Sequence, residues 1–186
     1  YRNSNIIILG LMTNNEIIGY YSIAEKIIKI VQSLQDVVGN TIFPFLSNKY
    51  NVSKYYFFSF NKKYFKYIFI IYFNFSCIVI LLAKHIVNII IGKYNQIAIL
   101  NLRILSFIIL FGGLNYYFGI LGLISMNYKK EFSKYIIIVG IFNIIFCSLA
   151  VYFFPTFGSS ISMLVSEFLL LLLILSKIYS VNEEIL

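Results

Sequence analysis

Residues 132–179 read FSKYIIIVGIFNIIFCSLAVYFF, then PTFG, then SSISMLVSEFLLLLLILSKIY. Two apolar runs of 23 and 21 residues are thus separated by four residues that hold a proline and a glycine, both strong turn formers. Between Tyr135 and Phe154 there is no charged residue at all. A bilayer core about 30 Å thick is crossed by about 20 apolar residues in a helix, so each run is long enough to span and Pro155 to Gly158 forms the turn between them. Composition agrees over the whole chain: 60% of its 186 residues are hydrophobic and 12% charged, with a mean hydropathy of +0.87. Soluble domains carry roughly 25% charged residues. The expected fold class is therefore an all-α integral membrane protein.

Working back from this hairpin, residues 97–126 and 64–83 form further spans. Residues 17–46 form an amphipathic one that Pro44 ends or kinks. The stretch 86–91, after the polar pair Lys84 and His85, is only about one and a half turns and is expected at the interface, ending at Gly92. Residues 1–13 are too short to span and read as the end of a helix. Residue 1 is Tyr and no secretory signal follows it, so a piece of a longer chain is expected. The whole, 1–186, reads as one transmembrane helical lobe with five full spans and one partial span. Loop charge alternates accordingly: residues 48–66 contain Lys49, Lys54, Lys62, Lys63 and Lys66, residues 127–134 contain Lys129, Lys130 and Lys134, and the intervening turns carry few or none. Lysine favours the cytoplasmic side of short loops, which places the Lys62 and Lys129 loops and the C-terminus there.

Several function classes fall away. A net charge of +8 comes from loop lysines rather than from a basic groove interleaved with aromatics, so nucleic acid is not an expected partner. Cys77 and Cys147 stand singly in apolar runs, and His85 is the only histidine, at a loop edge, so no metal site or cofactor is implied. No nucleophile–base set or phosphate loop is visible, and no enzyme activity is expected.

Ionisable groups inside spans are functional candidates because lipid penalises them. In 17–46, Ser22, Glu25, Lys26, Lys29, Gln32, Ser33, Asp36 and Asn40 recur at three- and four-residue steps. They fall within an arc of roughly 120°, with Lys29 near its centre and Lys26 at its edge. Ile23, Ile27, Ile30, Leu34 and Val38 occupy a different face. Such a stripe suits a helix lining a water-filled cavity, with Glu25 and Lys29 paired at i, i+4; the alternatives are an interfacial helix or a stripe that glues helices together. Arg103 either snorkels or binds an anionic substrate. Glu167, two turns into its span, is either a packing carboxyl or a proton- or cation-coupling site. Asn115 beside Gly112, Gly113, Gly119 and Gly122, and Asn143 near Gly140, place amides where helices approach closely.

The run Ile6-Ile7-Ile8-Leu9-Gly10, then Ile18-Gly19-Tyr20-Tyr21-Ser22-Ile23-Ala24-Glu25-Lys26, then Pro44 before a basic segment, resembles the first two helices of the C-terminal half of O-antigen (Wzx-type) polysaccharide flippases. Asn115, Gly119, Lys129-Lys130, Gly140, Asn143, Pro155, Gly158 and Glu167 are similar to that family's helices ten to twelve. Where members often carry an acidic residue before the Ile-Ile-Leu-Gly run, this chain has Asn5, and Ser159, Ser160 and Ser162 stand in for an Ala-rich start of helix twelve. The family belongs to the multidrug/oligosaccharidyl-lipid/polysaccharide exporter superfamily, with two six-helix lobes around a central cavity. The resemblance implies the C-terminal lobe, its first helix truncated, of a flippase for polyprenyl-pyrophosphate-linked oligosaccharide in the bacterial inner membrane. Implied partners are the lipid-linked substrate, membrane lipids, a polysaccharide polymerase and a chain-length regulator. Lys29 or Arg103 would meet the pyrophosphate, and Gln32, Asn40, Asn115 and Asn143 the sugar hydroxyls. The rivals are an ion-coupled drug exporter on the same fold and a membrane-embedded polymerase or acyltransferase.

Overall fold

A computed structural model describes residues 2–183. These form α1 (Arg2–Met12), α2 (Asn15–Val52), α3 (Lys54–Ile91), α4 (Gln96–Asn115) continuing as a π-helical segment (Tyr116–Ile124), α5 (Lys129–Phe153) and α6 (Gly158–Glu183). Residues 1 and 184–186, the outer ends of the expected lobe, lie outside the described residues.

Helix boundaries follow from local chemistry. Asn14 caps α2, its Oδ1 accepting the Ile17 N–H at 3.0 Å, and Asn95 caps α4 by accepting from Ala98 N at 2.8 Å. Gly92, at φ 74°, ends α3 in the left-handed conformation that glycine adopts without a Cβ clash. At the α5–α6 turn, Gly158 sits so close to the Ala150 carbonyl that a side chain there would overlap main chain.

Among the described residues, four helices are long and apolar enough to cross a membrane: Tyr56–Ile91, Gln96–Ile124, Lys129–Phe153 and Gly158–Val181. The chain is an all-α, multi-pass integral membrane protein. Its centre is α4, which packs against α2, α3 and α6. Of the most apolar stretch of α4 and its extension, 67% is buried, against 11% for α3, which is therefore the peripheral helix. A 38-residue α2 is long enough to cross, yet its polar stripe leaves it outside the apolar four.

The structure corrects three expectations. The lysine-rich stretch 48–66 is not a loop: α2 runs to Val52, Ser53 alone intervenes, and α3 begins at Lys54. Lysine is a good helix former, and the Ser53 side chain caps α3 by accepting from Tyr56 N. At about 57 Å, α3 exceeds a core of about 30 Å, so its Lys62 and Lys63 turn can be helical outside the hydrocarbon. Second, residues 86–91 are not a separate interfacial piece but the last turns of α3, because nothing before Gly92 interrupts its hydrogen bonds. Third, of the two outcomes expected at Pro44, an end or a kink of the helix, the end is excluded. Losing one N–H removes a single bond of the ladder, and the helix continues for two further turns.

Candidate functional site

The serines and Glu167 of α6 sort by helical spacing into two neighbouring stripes. Ser159, Ser162 and Ser166 meet α5: Asn143 donates to Ser162 Oγ at 3.1 Å and to Ser166 Oγ at 2.9 Å, and Cys147 Sγ lies 3.6 Å from Ser159 Oγ. Ser160 and Glu167, seven residues apart, meet α4 instead. Ser160 Oγ donates to Asn101 Oδ1, while Asn115 Nδ2 donates to Glu167 Oε2 at 2.7 Å and to the Glu167 carbonyl at 2.9 Å. Apolar helices gain little by associating within lipid, so such bonds and close packing hold them together.

Around the Asn115–Glu167 pair the helices leave a cavity of about 300 Å³. One wall comes from α2, with Lys29, Gln32, Ser33, Gln35 and Asp36. Opposite stand Asn115, Tyr116 and Glu167, with Phe132 and Ile136 of α5. Lys29 Nζ lies 3.0 Å from Glu25 Oε1 one turn earlier; the lysine side chain is 43% exposed and the glutamate 8%. The buried carboxylate thus holds an ammonium that still reaches the cavity. Glu167 is 1% exposed, and Asn115 Oδ1 is buried without a hydrogen-bond partner among the described residues. The chamber therefore combines amides, carboxylates and, among the described residues that line it, one cation. That set can hydrogen-bond hydroxyl groups while one ammonium engages an anionic oxygen.

Of the residues singled out from the sequence, Lys29, Gln32, Ser33, Asp36, Asn115 and Glu167 come together at this cavity. Glu25 borders a much smaller space behind it, with Leu105, Ile108 and Met163. Five others do not reach it. Asn143 is fully buried between α5 and α6 because its amide is taken by two serines. Arg103 is exposed and lines a separate cleft with Lys84, Tyr94 and Gln96, since it faces away from α2 and α6. Ser22 and Asn40 flank the lining stretch of α2, Ser22 half-buried and Asn40 exposed. Lys26 is exposed and absent from the wall. Gln35 and Tyr116 were not anticipated. Gln35 lies three residues beyond Gln32, a spacing that could have revealed it; Tyr116 depends on where α4 turns π-helical, which no residue pattern announces.

Asn5, the position noted before the Ile-Ile-Leu-Gly run, is fully buried away from this cavity. Its amide donates to Tyr21 Oη at 3.5 Å and to the Ser159 carbonyl at 3.4 Å, joining α1 to α2 and α6.

The profile of a family described as Polysaccharide biosynthesis protein matches residues 1–97. A protein of Escherichia coli (strain K12) named as an O-antigen transporter is 29% identical over 175 residues, an alignment covering 94% of this chain and 42% of that protein. The chain spans less than half the length of this curated relative. No solved structure matches it.

Proposed function

The chain belongs to the polysaccharide biosynthesis protein family, and from that premise we propose that it is one lobe of a flippase that carries a polyprenyl-pyrophosphate-linked oligosaccharide across the bacterial inner membrane. The observation that carries this reading is the cavity where Lys29, Gln32 and Asp36 of α2 face Asn115 and Glu167. Amides and carboxylates suit a sugar's many hydroxyls, and the Lys29 ammonium suits a phosphate oxygen. A fixed charge in such a vestibule attracts a phosphate more strongly than it would in bulk water. Glu25 orients Lys29 from its buried side without filling the cavity.

In this reading a second lobe completes the chamber, and rocking of the lobes opens it to each leaflet in turn. No covalent bond changes, so the protein acts as a transporter rather than an enzyme. Glu167 is the candidate for coupling to a proton or cation, being a buried carboxyl at the cavity wall. A polysaccharide polymerase and a chain-length regulator would act on the delivered repeat units. The similarity to a protein named as an O-antigen transporter supports this class of cargo. Three amides at the cavity wall, Gln32, Gln35 and Asn115, favour it over a drug exporter, whose chamber should be more aromatic.

The test is expression of the full-length protein in a strain lacking its own flippase. Restored surface polysaccharide is expected. Extrusion of cationic dyes with no polysaccharide restored would overturn the proposal in favour of drug export.

A further inference from the structure

Beside the polar cavity lies a second space, of about 370 Å³, whose walls are mainly apolar. Leu34 and Val38 of α2, Ile71 and Phe75 of α3, and Leu121 of the π-helical segment line it. Leu34, Val38, Ile71 and Phe75 are all exposed, so this groove opens on the outer surface of the bundle.

Two residues, Gln35 and Tyr116, line both spaces. Each joins an apolar stem to a polar tip, as the boundary between unlike chambers demands. The Tyr116 ring lies against α2 where Gly39 has no side chain, and a Cβ there would overlap the ring. Tyr116 also begins the π-helical segment, and π-helical irregularities are frequent at functional sites. A molecule filling both spaces must be amphiphilic. Its head needs hydroxyls for the amides and carboxylates and an anionic group for Lys29, and its tail must be hydrocarbon. A free sugar would leave the groove empty, and a neutral hydrocarbon would leave Lys29 unmatched.

We infer that the groove between α2 and α3 holds the first hydrocarbon units of the lipid carrier, with Tyr116 and Gln35 at the junction between tail and phosphate. This deepens the function proposed above and rests on its placing the head group beside Lys29.

The experiment compares two probes, a C15 isoprenyl pyrophosphate and inorganic pyrophosphate, binding to the full-length protein in phosphatidylcholine nanodiscs. Val38 is 59% exposed, so Val38→Trp narrows the groove without burdening the core; Leu34→Trp serves as a second such variant. Both should weaken the isoprenyl probe by about tenfold, the factor that corresponds to leaving roughly two CH₂ groups unburied, and leave inorganic pyrophosphate unchanged. Lys29→Gln should weaken both probes. A diazirine on the isoprenyl tail should label Leu34, Val38, Ile71 or Phe75. Unchanged isoprenyl affinity in both tryptophan variants overturns the groove assignment, as does equal labelling by a phosphatidylcholine carrying the diazirine on its acyl chain, which would mark ordinary bilayer lipid. Indifference of inorganic pyrophosphate to Lys29→Gln would instead defeat the head-group placement, so the two failures are distinguishable.

Discussion

Asn115 reaches Glu167 twice, donating one hydrogen bond to its carboxylate and another to its main-chain carbonyl, at 2.7 and 2.9 Å. One amide therefore fixes both the position of α6 against α4 and the orientation of a buried carboxyl at the cavity wall. Structural and coupling roles for Glu167 predict different outcomes for two substitutions.

Glu167→Gln keeps an acceptor for Asn115 and removes only the acidic function, so normal membrane abundance is expected. Glu167→Ala leaves a buried donor without its carboxylate partner, a loss of about 1–3 kcal/mol, and abundance should fall. If the carboxyl carries a coupling proton, the Gln variant in proteoliposomes should no longer respond to an imposed pH gradient. A Gln variant that responds like the unmodified protein would leave Glu167 with packing alone.

The cavity reading separates two lysines three residues apart. Lys29→Ala should abolish surface polysaccharide at unchanged abundance, Lys29→Arg should keep part of it, and Lys26→Ala should keep most, since Lys26 does not line the wall. Complementation of a flippase-null strain, with abundance read by blot, measures all three. Full complementation by Lys29→Ala at normal abundance would sink the cavity role; reduced abundance would return the stripe to helix packing.

Orientation can be read by cysteine labelling. The Lys62 and Lys63 turn of α3 is expected on the cytoplasmic side and the Pro155 to Gly158 turn on the other. An impermeant reagent applied outside the inner membrane should modify a cysteine at Thr156 and spare one at Lys62. The reverse pattern inverts the topology.

Two glycine-to-alanine changes should move in opposite directions. At Gly158 the new methyl would run into the Ala150 carbonyl, main chain that cannot step aside, so the α5–α6 hairpin should loosen and abundance drop. At Gly19, inside α2, nothing lies within 4 Å of a new Cβ, and alanine should stabilise the helix by up to about 1 kcal/mol. Thermal melting of the detergent-solubilised variants checks both.

Much of this fold was legible because apolar run length and turn residues act locally. The α5–α6 hairpin could be read from Pro155 and Gly158, and Gly92 marks a helix end, although from the sequence the stretch it closes is expected to be separate from the span before it. The basic segment 48–66 reads as a loop because lysine signals solvent without saying whether the solvated backbone is helical; only the Ser53 cap and the absence of glycine or proline nearby point to helix. At the site, the polar spacing on α2 brought out Lys29, Gln32 and Asp36. Which partners faced them depended on how helices far apart in sequence pack. Asn115 and Asn143 look alike along the chain, yet one borders the chamber and the other is consumed by Ser162 and Ser166.

The single residue between α2 and α3 has a mechanical consequence. One extended residue can take up only about 3.3–3.6 Å, and Ser53 is already extended, at φ −159° and ψ 118°. There is no slack at that joint. Any displacement of the basic end of α2 along its axis must drag α3 with it, so the helix bearing Lys29 and the helix bearing Phe75 are coupled as the two arms of one jointed strut.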